Sequence, residues 1–265
     1  MVLFLFLTHL GLGIVFTLAF VSRDAGVKFF RFNAGLAALL IAIAIALRPQ
    51  PAHAPAAARV AFVSLACAEA AILMYWATVG RMLASIRPAL AAIALGGGLV
   101  AIVAQAVAAT VDRAGALQAL TIASFVSSAA LLGGACTAMV LGHWYLVIPS
   151  LQVSHLQSIV KLHMASMAIR VAIVAAAVWF AVESAVLVQS GPTFRHYITS
   201  IDGVFFWQRV LFGLCGPAVL SYLTWETAKI RSTQSATGIL YVDFFTVVVG
   251  EVLAKYILLA TRVPV

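Results

Sequence analysis

Six ionisable side chains, Arg170, Glu183, Arg209, Asp243, Glu251 and Lys255, fall within the last three long apolar runs of this chain. A charge at the centre of a bilayer costs from about 2.5 to well over 10 kcal/mol, depending on the reference state, so such residues pair with one another or line a polar pathway. If successive helices cross in opposite directions, depth along each helix predicts which charges meet. Arg170 lies about six residues into its run and Asp243 about seven into its own, which at helical rise predicts a structural ion pair near one face. Arg209 and Glu251 match in the same way near the other face. Lys255, one turn beyond Glu251, is placed to share that carboxylate or to snorkel outward. The group has two readings, a lock on helix register or a pathway for protons or substrate, and Glu183 is left without a partner.

A second depth match joins His9 and Glu69, near the middle of the first and third apolar runs. An imidazole exchanges protons near neutral pH and a buried carboxyl can take or give one, so the pair is a catalytic candidate for exchange with a proton-carrying ligand or a transported ion. Each could equally be an interior residue satisfied by a hydrogen bond. Tyr75, about two turns past Glu69, extends the same face.

The elements that carry these residues are helices in a membrane. With 64% hydrophobic and 9% charged residues, the chain is far from a soluble globule, whose charged fraction is about 25%. Repeated runs of roughly 20 apolar residues, each able to cross about 30 Å of hydrocarbon, predict an all-α polytopic bundle and not a β-barrel. Eight spans are expected, Val2 to Val21, Phe32 to Leu47, Val60 to Gly80, Ala89 to Thr110, Leu117 to Leu141, Met164 to Val188, Val204 to Ile230 and Ala236 to Ala260, forming one transmembrane domain over residues 1–265. The first run has no basic segment before it and no clear cleavage site after it, so it reads as a span and not a signal peptide. Proline and glycine break the second and sixth spans at Arg48-Pro49-Gln50-Pro51 and Gly191-Pro192.

The net charge of +8 is spread singly through short loops, which points to anionic lipid headgroups and not to nucleic acid. Arg23, Lys28, Arg31, Arg81, Arg87, Lys161, Lys229 and Arg231 fall on one side, and Arg48, Arg59, Arg113, Arg195 and Arg262 on the other. By the positive-inside rule this places both termini on the non-cytoplasmic side of a bacterial-type inner membrane. Cys67, Cys136 and Cys215 lie in apolar runs without metal-ligand spacing and read as small buried hydrophobes. No metal site is expected. His9, His53, His143, His155, His163 and His196 show no paired spacing on two helices, which argues against b-type haem, although His143 and His163 flank one connection and could face each other.

That connection carries His143, Trp144 and Tyr145, followed by the amphipathic stretch Ser150 to His163, which predicts an interfacial helix. Its aromatics read as a headgroup anchor or as the lip of a ligand site that includes His143 and Tyr145. Gly96-Gly97-Gly98 and Gly133-Gly134 read as helix-packing positions. Gly213, Gly216 and Pro217 interrupt the seventh span just past Arg209, as a kink or as room for a ligand.

The segments Ala236-Thr237-Gly238-Ile239-Leu240-Tyr241 and Gly250-Glu251-Val252-Leu253-Ala254-Lys255-Tyr256 resemble the last helix of quinol-interacting membrane anchor subunits of the polysulfide reductase and dimethyl sulfoxide reductase type. Lys255 stands where that pattern has arginine. The resemblance implies an eight-helix subunit of an oxidoreductase complex that binds quinone and relies on separate cofactor-bearing protein subunits for electron transfer. Arg209, Glu251 and Lys255 then form a second polar site beside His9 and Glu69. The alternatives are a small-solute or ion transporter working through the charges of the last three spans, and a structural anchor without chemistry of its own.

Overall fold

The computed structural model describes residues 1–49, 55–81, 83–110, 115–148, 151–188 and 191–265. The expectations for His53, Pro51, Arg113 and Ser150 fall outside these residues. The described chain is helical, apart from short connections and one isolated antiparallel bridge between Leu187 and Thr193. Its helices are α1 (Val2–Leu18), α2 (Gly26–Ala46), α3 (Ala56–Thr78), α4 (Arg87–Ala109), α5 (Ala116–Val147), α6 (Val153–Glu183), α7 (Phe194–Thr199), α8 (Val204–Val210), α9 (Gly216–Lys229) and α10 (Thr233–Thr261). A π-helical turn, Leu211–Cys215, joins α8 and α9 into a single crossing. Seven crossings are long and apolar enough to span a bilayer. The eighth, α1, has 17 residues and rises about 25 Å. The fold is therefore an all-α polytopic membrane bundle in which α1 packs against both α5 and α10.

Two boundaries differ from the apolar pattern in a way that matters for the site. α5 continues past Leu141 to Val147, and α6 starts at Val153, well before Met164. The described part of the amphipathic stretch from Ser150 to His163 is thus the opening of a spanning helix and not a separate interfacial one. Backbone hydrogen bonding is local, so a helix need not stop where lipid contact stops. Tyr145 fixes this end, its hydroxyl donating to the Gln152 carbonyl and accepting from the Leu156 N–H. Tyr145 is buried and serves as a brace between helices, not as a headgroup anchor. Its neighbour Trp144 packs edge-on against Phe29 at 5.8 Å.

α5 is the hub. Its most apolar stretch is 83% buried, enclosed by α1, α4, α6 and α10. α1 comes close because two glycines face each other. A Cβ on Gly13 would lie 2.0 Å from the Ala129 carbonyl oxygen, and one on Gly133 would lie 2.0 Å from the Gly13 carbonyl oxygen. One turn on, Thr17 and Thr137 hydroxyls meet at 2.6 Å. Among the glycines of α4, Gly98 packs on Leu12 and Gly97 on Ser64, whereas Gly96 has open space beside it. Of the cysteines only Cys136 is buried, while Cys67 and Cys215 are exposed on the bundle surface, which corrects their reading as interior residues.

Gly133→Ala should therefore cost about 1–3 kcal/mol or more through overpacking. Gly96→Ala should be neutral or slightly stabilising. Thermal unfolding of both variants in detergent checks this, and equal melting temperatures would contradict backbone contact between α1 and α5.

Candidate functional site

Four helices converge on one carboxylate, and a fifth joins through a serine. Glu251 of α10 accepts at Oε1 from Arg170 Nε of α6 at 2.9 Å and from Arg209 Nη2 of α8 at 2.8 Å. At Oε2 it accepts from Ser128 Oγ of α5 at 2.5 Å, Lys255 Nζ at 3.1 Å and Arg170 Nη2 at 3.2 Å. All five side chains are almost completely buried. Arg170 is held further by Ser124, whose hydroxyl accepts from Nη1 at 2.6 Å, and by the backbone oxygen of Val265 at 3.3 Å. α1 joins through His9, whose Nδ1 lies 3.2 Å from Ser128 Oγ.

Local sequence explains how Arg209 reaches inward. Pro217 has no N–H to offer the carbonyl four residues back, that of Gly213. Arg209 Nη1 takes that carbonyl instead, at 2.6 Å, across the π turn. The same turn brings Gly213 against Gly250, where a Cβ on either glycine would fall within 2.4 Å of the other's Cα. The interruption read from Gly213, Gly216 and Pro217 is thus a π turn that aims an arginine.

The expected pairing of Arg170 with Asp243 is overturned. Counted from the true starts, Arg170 stands 17 residues after Val153 and Glu251 stands 18 after Thr233, whereas Asp243 stands 10 after Thr233 and meets His163, 10 after Val153. His163 Nε2 lies 2.7 Å from Asp243 Oδ2, both side chains fully buried. The contacts of Glu251 with Arg209 and Lys255 anticipated from depth are present. Glu183 is exposed at the end of α6.

His9 and Glu69 do not meet. His9 is surrounded by Ser128, Phe125 and Gln105, while both carboxylate oxygens of Glu69 are buried without a hydrogen-bond partner. Tyr75 lines a separate cavity of about 100 Å³ between α1, α2, α3 and α4. His143 and Tyr145 lie at the far end of α5. His143 Nδ1 contacts the Tyr241 hydroxyl at 3.0 Å and does not face His163. The proposed ligand-binding set therefore splits into separate places, and only Arg209, Glu251 and Lys255 share one.

Sequence reading missed Ser124, Ser128 and Gln105. Their signal was present as isolated polar side chains in apolar helices, with the two serines one turn apart on α5. Gln105 is 4% exposed and lines a cleft of about 660 Å³ together with Met1, Phe4, Arg48, Arg59 and Phe62. His9 lies behind Gln105 and does not line the cleft; its Nε2 and both Gln105 amide atoms are buried and have no partner other than each other. The Ser128 hydroxyl carries one hydrogen and gives it to Glu251, so His9 Nδ1 must be the donor in its contact with Ser128. His9 Nε2 is then the lone-pair nitrogen, on the side of Gln105. No known protein family, curated protein or solved structure matches this chain. Among the described residues no three His, Cys, Asp or Glu side chains gather as metal ligands.

Removing the central carboxylate strands three buried cations. Glu251→Gln should cost about 3–5 kcal/mol, and adding Arg209→Gln should restore part of that loss. A double-mutant cycle on unfolding in detergent should give a coupling above about 1 kcal/mol, and additive behaviour would refute the cluster.

Proposed function

We propose that this protein is the membrane subunit of a redox complex, binding quinol or quinone in the cleft beside Gln105 and His9 and passing electrons to cofactor-bearing partner subunits. The observation that carries this reading is the buried Gln105 amide at a cleft that it lines together with apolar side chains, Arg48 and Arg59, with the buried His9 imidazole behind it and outside the cleft lining. Its volume lies within the range of small-molecule pockets, about 300–1,000 Å³. A lipid-soluble ring with two oxygens suits such a cleft, one oxygen meeting the amide, and a hydroxyl reaches the imidazole as the ring enters past Gln105.

Oxidation of a quinol releases two protons and two electrons. The first proton passes from the quinol hydroxyl to His9 Nε2, and the second leaves through the open mouth of the cleft to water. The imidazolium returns its proton by the same route once the quinone has left. Ser128 Oγ accepts from Nδ1 and steadies the imidazolium so formed, while Glu251 stays ionised as the counter-ion of Arg170, Arg209 and Lys255. The electrons leave to an iron-sulfur or equivalent acceptor on a partner subunit. Arg170, Arg209 and Lys255 supply a positive field that favours anionic intermediates nearby. The resemblance of residues 236–241 and 250–256 to quinol-interacting anchor subunits supports the same reading, with Lys255 a working member of the cluster. The distribution of loop cations favours an inner membrane with the cleft near its non-cytoplasmic face.

One observation favours a second reading, an ion or small-solute transporter. The buried His163–Asp243 pair lies on the same two helices as Arg170 and Glu251, further toward the opposite face.

In the complex purified in mild detergent, His9→Ala should lower quinol-linked turnover by about 100-fold or more. Gln105→Leu should raise the KM for quinol, and Glu69→Gln should leave turnover within about twofold. Full turnover in His9→Ala would refute the site, and substrate uptake into liposomes by the lone chain would favour the transporter.

A further inference from the structure

We propose that the outward groove between α2 and α3 binds one anionic phospholipid, independently of the redox reading. Lys28 and Arg31 stand three residues apart at the start of α2, and among the described residues neither faces a carboxylate. The acid closest in sequence, Asp24, is already engaged by His155 at 3.2 Å and by the Ser22 hydroxyl. Arg81 adds a further cation at this corner, because Gly80 packs directly on Val27.

Below the cations lies an aromatic floor. The Arg31 guanidinium sits 5.5 Å from the Trp76 ring centre. Trp76 crosses α2 at Gly35, where a Cβ would come within 2.7 Å of the indole Nε1. A larger residue there would lift the indole and close the groove. Beyond it Phe32, Leu36 and Leu39 continue the wall, with Phe32 and Leu39 more than half exposed, and the whole groove encloses about 520 Å³.

Lys28 to Leu39 spans about 16 Å along the helix, close to one leaflet of a hydrocarbon core about 30 Å thick. Cations, then aromatics, then aliphatic wall follow the order of phosphate, glycerol backbone and acyl chain. The uncompensated positive charge selects the occupant. A zwitterionic headgroup would bring its own ammonium against Lys28 and Arg31, whereas an anionic headgroup would not.

The test is native mass spectrometry of the full chain released from nanodiscs of phosphatidylcholine containing a minor fraction of phosphatidylglycerol. Wild type should retain one phosphatidylglycerol at least tenfold above its share, and retention should fall as salt is raised. The Lys28→Gln/Arg31→Gln double variant should lose at least tenfold of that preference, while Arg195→Gln should keep it. Melting temperatures in pure phosphatidylcholine establish that the double variant is folded. Should it unfold, the salt dependence of wild-type retention decides alone. Equal retention of both lipids, an unchanged double variant, retention insensitive to salt, or displacement by soluble glycerol phosphate would each overturn the proposal.

Discussion

One buried carboxylate holds the second half of this bundle together. Glu251 accepts hydrogen bonds from Arg170, Arg209, Lys255 and Ser128, so α5, α6, α8 and α10 are tied at a single point. Taking these charges out of water is costly, and attraction offsets the cost only where geometry is close and the remaining polar atoms are satisfied. Here both carboxylate oxygens are shared among charged donors, and the arginine at the centre is bidentate, the arrangement that gives charge-assisted bonds their strength. Three cations still outnumber one carboxylate. The excess is what makes the cluster more than a rivet, since a positive field in low dielectric acts on whatever binds nearby.

Such a point of convergence requires helices packed closer than bulky side chains allow. Glycine supplies the approach twice, at Gly13 against Gly133 and at Gly213 against Gly250. Without a hydrophobic force to separate helix contact from lipid contact, close van der Waals packing and interhelical hydrogen bonds carry the association. The first contact brings His9 to Ser128, and the second brings Arg209 to Glu251. Packing and site are therefore one construction, with the π turn before Pro217 as its joint.

Much of this was legible in the sequence. Apolar run length gave eight crossings, and the rarity of intramembrane charge marked Arg170, Arg209, Asp243, Glu251 and Lys255. The pairings were less legible because depth is one coordinate and a bundle needs two more. Arg170 was matched to the wrong acid because apolarity faded at Met164 while the helix ran back to Val153, which shifted its depth by three turns. His9 and Glu69 share the middle of their runs but point to different neighbours, a matter of azimuth that no count along the chain reveals. Ser128 and Gln105 carry no charge and so did not stand out, although a lone hydroxyl or amide inside an apolar helix is the kind of group that must find a partner.

Chain order imposes a schedule on the charge cluster. Arg170 and Arg209 are made before the carboxylate that neutralises them, and Glu251 follows Arg209 by 42 residues. At about 5–20 residues per second, the two cations wait for seconds before their counter-ion exists. Until α10 enters the membrane, the arginines must stay near the headgroups, at water, or with the insertion machinery. Entry of α10 is thus a neutralisation step, and a ribosome stalled before α10 would leave a chain unable to close the cluster.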